Sequence, residues 1–255
     1  MRFQNRVAVV TGAASGLGRG TAFALAREGA NVGCVDINES ALVETVQGIQ
    51  GIGGTATAAP ADVSESRQVA QAVATIVAQL GTIDLLVNVA GGALVKAAHE
   101  TTDAEWHQCL DRNLTGTFFF CREVLPGMIA HGRGVIVNVA SSLARIAAPN
   151  FAAYSAAKAG IIGLTRQLAR DYGPTVRINS VSPAAIDTPS VRAAIDASPD
   201  PVAMQEEIAR GNSIARRLAT VEEIVEVVLF VASDSASFVM GHDLVACGGQ
   251  SVVAY

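Results

Sequence analysis

Short apolar runs alternate with longer helical patterns along the chain, and this alternation constrains the fold more than any other feature of the sequence. The runs include RVAVVTG, NVGCVDI, IDLLVNVAG, GVIVNVAS and VRINSVSP, which are rich in β-branched residues. Nearly continuous apolar strands are typical of a parallel sheet that is buried on both faces. Because strand–helix–strand crossovers are right-handed, the order predicts an α/β fold: a doubly wound parallel sheet of about seven strands with helices on both faces.

A change of pattern in the last third of the chain indicates where a ligand would be covered. Between Ala184 and Arg217 the alternation gives way to a stretch that carries Pro, Ala and Asp. It predicts a helical insertion at about 184–217, placed over the crevice that such sheets form beyond the carboxyl ends of their strands. No internal repeat divides the chain, so residues 1–255 are expected to form a single domain.

Charge and cysteine content exclude several classes of function. The 255 residues carry a net charge of −5 with both signs interspersed, so the basic stripe that nucleic-acid binding needs is missing. The spacing of the four cysteines and four histidines fits neither a zinc site nor a disulfide framework, and no metal is expected. No signal peptide is evident, and no apolar stretch reaches the ~20 residues that span a bilayer. We therefore expect a cytoplasmic protein with a small-molecule partner and no contact with nucleic acid or membrane.

A glycine-rich turn follows the first strand directly. In TGAASGLGRG, Gly12, Gly16 and Gly18 would permit a tight turn and the close approach of a pyrophosphate to the amino terminus of the next helix. The same glycines would also suit a tight strand–helix connection that binds nothing.

Asp36 supplies a second signal of a dinucleotide site. It ends the second strand eighteen residues after Gly18, where a carboxylate can accept hydrogen bonds from the adenosine ribose. A carboxylate there repels a 2′-phosphate, and the segment CVDINES contains no arginine to compensate, so NAD(H) is favoured over NADP(H). The alternative role of Asp36 is to cap the helix that begins near INES.

The turn TGAASGLG, with its glycines spaced Gly-x-x-x-Gly-x-Gly, resembles the cofactor turn of the short-chain dehydrogenase/reductase family, and the resemblance covers essentially the whole chain. It implies a Rossmann-type fold and an oxidoreductase that uses NAD to interconvert a secondary alcohol and a ketone. Besides the three glycines and Asp36, the cofactor-binding residues that it implies are Ser15, Leu17, Asp62, Val63, Asn88, Ala90, Gly91, Tyr154, Lys158, Pro183, Ile186 and Thr188.

Three positions depart from the pattern of this family. Val89 replaces the second asparagine of the Asn-Asn-Ala-Gly strand end, which would remove one hydrogen bond that steadies the central strands. Ala184 replaces a glycine, which implies either a backbone without positive φ at this position or a small energetic cost if the positive φ is kept. Cys247 replaces an aspartate near the carboxyl terminus, where it would alter a subunit contact.

Tyr154 and Lys158 are one helical turn apart in FAAYSAAKAGIIGLTRQLAR, so both side chains project from one face. This spacing alone is more typical of surface neighbours. Tyr-x-x-x-Lys is, however, the catalytic motif of the family, and an ammonium beside a phenol favours the phenolate. The resemblance therefore implies that Tyr154 transfers the proton, while Lys158 lowers its pKa and binds the nicotinamide ribose.

Two further residues complete the catalytic set of the family. Ser141 lies thirteen residues before Tyr154, at the end of the strand GVIVNVAS, and would hydrogen-bond the substrate oxygen. The adjacent Ser142 is its rival. Asn113 in RNLTG matches an asparagine of a long helix that supports a water chain to Lys158, and the alternative is an ordinary polar residue of that helix.

The sequence leaves substrate and assembly open. Arg145, where the family often has glycine, could meet an acidic substrate or lie at the surface. The rival functions are a 3-oxoacyl-[acyl-carrier-protein] reductase, which would use NADPH, and a non-catalytic NAD-binding protein.

The long helices around 105–131 and 151–172 resemble those that pack between subunits in the family, so a homotetramer is expected. The candidate residues of the substrate pocket are mostly small and apolar, which would suit a hydrophobic or alicyclic alcohol. They are Gly92, Ala93, Leu94, Leu143, Phe151, Ala185, Ile186, Val191 and Met204.

Overall fold

Seven parallel strands form the centre of the protein, as the alternation in the sequence predicts. The structure, a computed structural model, describes residues 1–211 and 214–252. The strands are β1 (Val7–Thr11), β2 (Asn31–Val35), β3 (Thr55–Ala58), β4 (Leu85–Asn88), β5 (Gly134–Val139), β6 (Val176–Pro183) and β7 (Asp243–Ala246). They lie in the order β3-β2-β1-β4-β5-β6-β7, and every neighbouring pair is parallel.

Helices cover both faces of this sheet. In chain order they are α1 (Gly16–Arg27), α2 (Glu39–Gly51), α3 (Ser66–Leu80), α4 (Asp103–Leu110), α5 (Gly116–His131), α6 (Ala152–Tyr172), α7 (Pro189–Asp196), α8 (Pro201–Gly211) and α9 (Val221–Ala232). Helices α1, α2 and α9 pack on one face, and α3, α5 and α6 pack on the other. The predicted doubly wound α/β fold is therefore confirmed. Within the described residues, no helix combines the length and the hydrophobicity needed to cross a membrane.

The side chains of each strand alternate between two separate cores. In β1, Ala8 and Val10 belong to the core under α1, α2 and α9, while Val7 and Val9 belong to the core under α3, α5 and α6. Because both faces are buried, both sets of positions are apolar, which accounts for the nearly continuous hydrophobic runs. Polar side chains that meet a ligand must then lie at the ends of the strands.

Two short helices, α7 and α8, occupy the expected insertion. Thr188 caps α7 by accepting a hydrogen bond from a backbone N–H of its first turn (3.4 Å), and Pro189 stands in that turn, where a missing N–H removes no helical hydrogen bond. Asn212 and Ser213, which also belong to the expected insertion, lie outside the described residues.

Asp243, the first residue of β7, joins three segments near the edge of the sheet. Its side chain is only 2% exposed. One carboxylate oxygen accepts hydrogen bonds from the hydroxyls of Ser180 (2.7 Å) and Ser182 (2.8 Å) on β6, and the other accepts from Nε of Arg145 (2.7 Å). The carboxylate thus ties β6 and β7 to the loop after β5. Arg145, for which an acidic substrate was one possible partner, is paired within the protein.

The substitution Asp243→Asn should lower the free energy of unfolding by about 2 kcal/mol, because an amide N–H₂ would face the Arg145 donor and the serine hydroxyls would lose a charged acceptor. The matched control is Asp234→Asn, which removes an exposed carboxylate that pairs with Arg6. Such surface pairs contribute roughly 0–1 kcal/mol. Denaturant unfolding of both variants checks the prediction, and equal losses would contradict it.

Candidate active site

A cleft of about 900 Å³ opens at the carboxyl ends of β1, β2 and β4. At this point the chain crosses over from one side of β1 to the other, so the loops diverge and leave room for a ligand. Eleven of the predicted cofactor-binding residues line the cleft: Gly12, Ser15, Gly16, Leu17, Gly18, Asp36, Asp62, Val63, Ala90, Gly91 and Thr188.

The glycine-rich turn presents bare backbone to this cleft. A Cβ at Gly18 would overlap the carbonyl oxygen of Gly12, so the turn closes only without a side chain there. Gly12 itself has φ of +69°, and a Cβ on it would lie 3.1 Å from Cα of Ala90. Ser15 is the N-cap of α1, and its side chain makes no capping hydrogen bond within the described residues. The backbone N–H groups of the first turn of α1 are thus suited to bind an anion such as a pyrophosphate.

Asp36 is held in place by the backbone around it. Its Oδ2 accepts a hydrogen bond from the N–H of Ala14 (3.0 Å), and its Oδ1 accepts from the N–H of Asn38 (2.9 Å). Asn38, and not Asp36, caps α2, because the Asn38 side chain accepts from the Ala41 N–H. Each carboxylate oxygen of Asp36 keeps a second lone pair, so the group still fits the hydroxyls of a ribose.

Asp62 and Val63 lie on the same wall as Asp36. One oxygen of Asp62 accepts from the backbone N–H and the hydroxyl of Ser64, at 2.9 and 2.6 Å. Val63 is buried, and its side chain lies close to Gly116, where a Cβ would be 2.8 Å from Cγ2 of Val63. This wall combines a fixed carboxylate with an apolar surface, as an adenine site requires.

Asn88, Pro183 and Ile186 do not line the cleft. Asn88 is buried at the end of β4, where its Nδ2 donates to Oδ1 of Asn138 on β5 (2.9 Å). Pro183 is the buried last residue of β6, and Ile186 pairs with Ala219 in a short parallel bridge. Tyr154 and Lys158, the other two predicted cofactor-binding residues, are not part of the described lining either.

The three departures from the family pattern have local consequences. Val89 has no polar side-chain atom, and Oδ1 of the preceding Asn88 is buried without a hydrogen-bond partner in the described part of the chain. Ala184 is not among the residues with positive φ, as expected. Cys247 is buried, and its Sγ lies 3.2 Å from the Ser251 hydroxyl.

Tyr154 and Lys158 meet Ser141 beside the end of the cleft. Hydrogen bonding by the Ser141 hydroxyl lowers the pKa of the Tyr154 phenol, so the two groups are neighbours. Lys158 is 4% exposed, its Nζ donates to the carbonyl oxygen of Val139 (2.8 Å), and it lies 5.6 Å from the centre of the Tyr154 ring. The structure therefore brings three of the four predicted catalytic residues together.

Ser142, the rival of Ser141, points elsewhere. Its hydroxyl donates to Oε1 of Gln250 near the carboxyl terminus (2.6 Å), whereas Ser141 Oγ accepts from the N–H of Leu143 (3.2 Å). Of the two hydroxyls in the described part of the chain, only that of Ser141 therefore acts on the pKa of the Tyr154 phenol.

Asn113 lies in a π-helical turn, Asp111–Thr115, that separates α4 from α5. Its Nδ2 donates to the carbonyl oxygens of Gly92 (3.0 Å) and Cys109 (2.8 Å), and its Oδ1 accepts from the Gly92 N–H (3.2 Å). The residue is fully buried, so it is not an ordinary polar residue of a continuous helix. Such turns are frequent at functional sites.

Burial shifts the pKa values of the two titrating groups. Burial raises the pKa of Tyr154, and the hydrogen bond from Ser141 opposes this rise. Burial lowers the pKa of Lys158 to about 8. The expected lowering of the Tyr154 pKa by Lys158 is not among these causes, and burial of the phenol outweighs the lowering by Ser141.

The sequence reasoning missed one wall of the cleft. One face of α4 and the π-helical turn lines it with Ala104, His107, Gln108 and Asp111, and Arg112 lies beside them. Their spacing of i, i+3, i+4 and i+7 is a helical face, so a signal existed, but nothing local indicates that this face meets a cleft. Within 1–211 and 214–252, no three His, Cys, Asp or Glu side chains are grouped as metal ligands.

Comparisons with known proteins agree with this geometry. Residues 12–251 match a family model described as enoyl-(acyl carrier protein) reductase. The chain is 40% identical to cis-4-hydroxycyclohexanecarboxylate dehydrogenase of Sinomonas cyclohexanicum, over 98% of both chains. It is 36% identical to D-threitol dehydrogenase of Mycolicibacterium smegmatis, over 98% of this chain and 95% of that one.

The crystal structure of levodione reductase is similar to the whole fold. It superposes with a TM-score of 0.94 at 34% identity, over 99% of this chain and 100% of the other. Fold, motif order and relatives agree, and the chain belongs to the short-chain dehydrogenase/reductase family.

Proposed function

We propose that this protein is an NAD(H)-dependent oxidoreductase that interconverts a secondary alcohol and a ketone, with Tyr154 as the general acid and base. The observation that carries the proposal is the junction at Gly91. This residue lines the cleft, and a Cβ on it would overlap Oδ1 of Asn113 and lie 3.6 Å from Nζ of Lys158. The proton-transfer group therefore adjoins the cleft that suits a dinucleotide.

The proposed oxidation divides its work between two hydroxyl groups. The phenolate of Tyr154 takes the proton of the substrate hydroxyl, while Ser141 donates a hydrogen bond to the same oxygen. Bound NAD would supply the acceptor for the hydride that leaves the substrate carbon, chemistry that no side chain offers. In the reverse direction, Tyr154 returns its proton to the ketone oxygen.

Lys158 and Asn113 are proposed to act around the phenol. With a pKa of about 8, Lys158 stays charged at neutral pH, and its ammonium would favour the phenolate and bind the nicotinamide ribose. Its hydrogen bond to Val139 fixes the direction of the side chain. Asn113 clamps the backbone of Gly92, and we propose that it supports the ordered water through which the proton reaches solvent.

An alicyclic or hydrophobic alcohol is the proposed substrate class. The ring of Phe151 lies 6.1 Å from that of Tyr154, which gives an apolar wall beside the proton-transfer group. The Sinomonas relative is likewise named as a dehydrogenase of an alicyclic alcohol. Helices α7 and α8 are proposed to cover this substrate, because α7 follows Thr188 on the cleft wall.

Assembly and location are part of the same proposal. Large apolar side chains of α4 and α5, Trp106, Phe118 and Ile129, are 37–45% exposed, and they support a homotetramer that covers them. Four buried free cysteines support a reducing, cytoplasmic location.

A substrate screen tests the proposed function most directly. Alicyclic diols, hydroxysteroids, aryl alcohols and 3-hydroxyacyl esters would each be mixed with NAD, and the absorbance of the reduced nicotinamide would be followed. Turnover of an alicyclic or other secondary alcohol is expected. Turnover of 3-hydroxyacyl esters alone would favour an acyl reductase, and no turnover at all would favour a non-catalytic protein.

Catalytic efficiency with NAD(H) should exceed that with NADP(H) at least tenfold, or ~1.4 kcal/mol, because Asp36 would repel a 2′-phosphate. Comparing kcat/KM for both cofactors with one active alcohol checks this expectation. Asp36→Asn should reduce the difference. Equal efficiencies in the wild-type protein would refute the role of Asp36 and leave the family assignment intact.

Tyr154→Phe should lower kcat by roughly 10²–10⁴-fold, since it removes the proton-transferring hydroxyl and keeps the ring. NAD(H) binding should persist, because the glycine turn, Asp36 and Lys158 remain. Lys158→Met, by contrast, should weaken both turnover and NAD affinity. Steady-state kinetics with a separate binding titration distinguishes the two variants. If the Phe variant kept more than about a tenth of kcat, the acid–base role would be wrong.

The rate of alcohol oxidation should rise with pH, because the reaction needs the phenolate and burial raises the Tyr154 pKa. Ketone reduction, which needs the protonated phenol, should fall over the same range. Ser141→Ala removes the hydrogen bond that lowers the pKa, so its oxidation profile should move to higher pH. Profiles of kcat/KM test this, and an unchanged midpoint in Ser141→Ala would contradict it.

A further inference from the structure

Arg112 is a cation on the cleft wall that the proposed mechanism does not use. It lies in the π-helical turn next to Asn113, is exposed, and lines the cleft. In the described part of the chain it has neither a hydrogen bond nor a salt bridge, although its neighbour Asp111 accepts from the Thr115 hydroxyl (3.0 Å). An arginine without a protein partner in a ligand cleft is available to an anion.

The Arg112 side chain lies over the loop that follows β4. A Cβ on Gly92 would be 3.1 Å from Nη1 and 3.8 Å from Cδ of Arg112. Asn113 holds the N–H and the carbonyl oxygen of Gly92. The stem of Arg112 therefore rests on backbone that its own neighbour fixes in place, which limits the positions that the guanidinium can take.

The same loop adjoins the glycine-rich turn. Two residues before Gly92, Ala90 lies 3.1 Å from the position of a Cβ on Gly12, and Gly91 between them lines the cleft. The guanidinium and the N–H groups at the start of α1 therefore face one space. A dinucleotide that fills this cleft can therefore contact both.

The charge of the cleft supports the same conclusion. The described lining contains three carboxylates, Asp36, Asp62 and Asp111, and Arg112 is its one side chain with a permanent positive charge. A dinucleotide brings further negative charge to this space. Without Arg112, the permanently charged side chains of the described lining would all repel it.

We propose that Arg112 is a phosphate-binding residue of the cleft and pairs with a phosphate group of the dinucleotide. This inference rests on the proposed function, because it requires that the cleft takes a dinucleotide. The phosphate is either the pyrophosphate, common to NAD and NADP, or the 2′-phosphate of NADP. A guanidinium binds both in the same way, with two N–H donors to phosphate oxygens.

Binding titrations with fragments test the proposal without turnover. The probes are ADP, which carries the pyrophosphate, adenosine 2′-monophosphate, and adenosine without phosphate, each with the wild-type protein, Arg112→Gln and Arg112→Lys. The control is Arg170→Gln, which removes the same charge from an exposed position on α6 outside the cleft. Thermal unfolding verifies that all variants fold.

Arg112→Gln should weaken the binding of a phosphate-bearing fragment about tenfold at low salt, and less at high salt. Adenosine binding should not change, Arg112→Lys should recover part of the affinity, and Arg170→Gln should match the wild type. A loss for ADP assigns the pyrophosphate, and a loss for adenosine 2′-monophosphate alone assigns the 2′-phosphate.

Two results would overturn the inference. One is unchanged affinity for both phosphate fragments in Arg112→Gln, and the other is an equal loss for adenosine, which would indicate a disturbed loop. NAD is titrated into the wild-type protein in parallel, and if it binds in either case, the proposed function survives. If the wild-type protein binds neither ADP nor NAD, both proposals fail.

Discussion

The burial of a parallel sheet on both faces is the constraint on which the remaining structure depends. Successive side chains of each strand alternate between two separate hydrophobic cores, so a polar side chain inside a strand would need a buried hydrogen-bond partner. Polar groups inside a strand, such as Ser180, are paired within the protein, and those that can meet a ligand lie at the strand ends, where the backbone leaves the sheet. The turn after β1, Asp36 after β2, Gly91 after β4 and Ser141 after β5 all stand at that one edge. The convergence of these residues follows from the parallel direction of the strands.

Burial also determines the electrostatics of the reaction centre. Tyr154 and Lys158 sit where neither charged form is well solvated, so the phenol resists ionisation and the ammonium loses its proton more readily than in water. A charged side chain is costly to bury at this position, and a bound positive charge in the cleft would strongly favour the phenolate form of Tyr154. The pKa of Tyr154 would therefore respond to a charged ligand in the cleft.

The π-helical turn between α4 and α5 gives two adjacent residues different surroundings. Asn113 points inward and clamps Gly92, while Arg112 lies over the same glycine in the cleft. Neighbouring side chains of a regular helix point ~100° apart. In this wider π-helical turn, Arg112 and Asn113 both contact the loop at Gly92. One short segment thus both clamps Gly92 and supplies the one permanent positive charge of the described cleft lining.

The sequence by itself determined the order of strands and helices, the glycine turn, and the spacing of Tyr154 and Lys158, because these depend on local periodicity and on motifs of a few residues. Only the tertiary structure separated Ser141 from Ser142, paired Arg145 with Asp243, and placed α4 against the cleft. These features depend on contacts between residues that are far apart in the chain, such as the 98 positions between Arg145 and Asp243. Periodicity defines which face of an element is apolar, but only packing decides which distant element meets it.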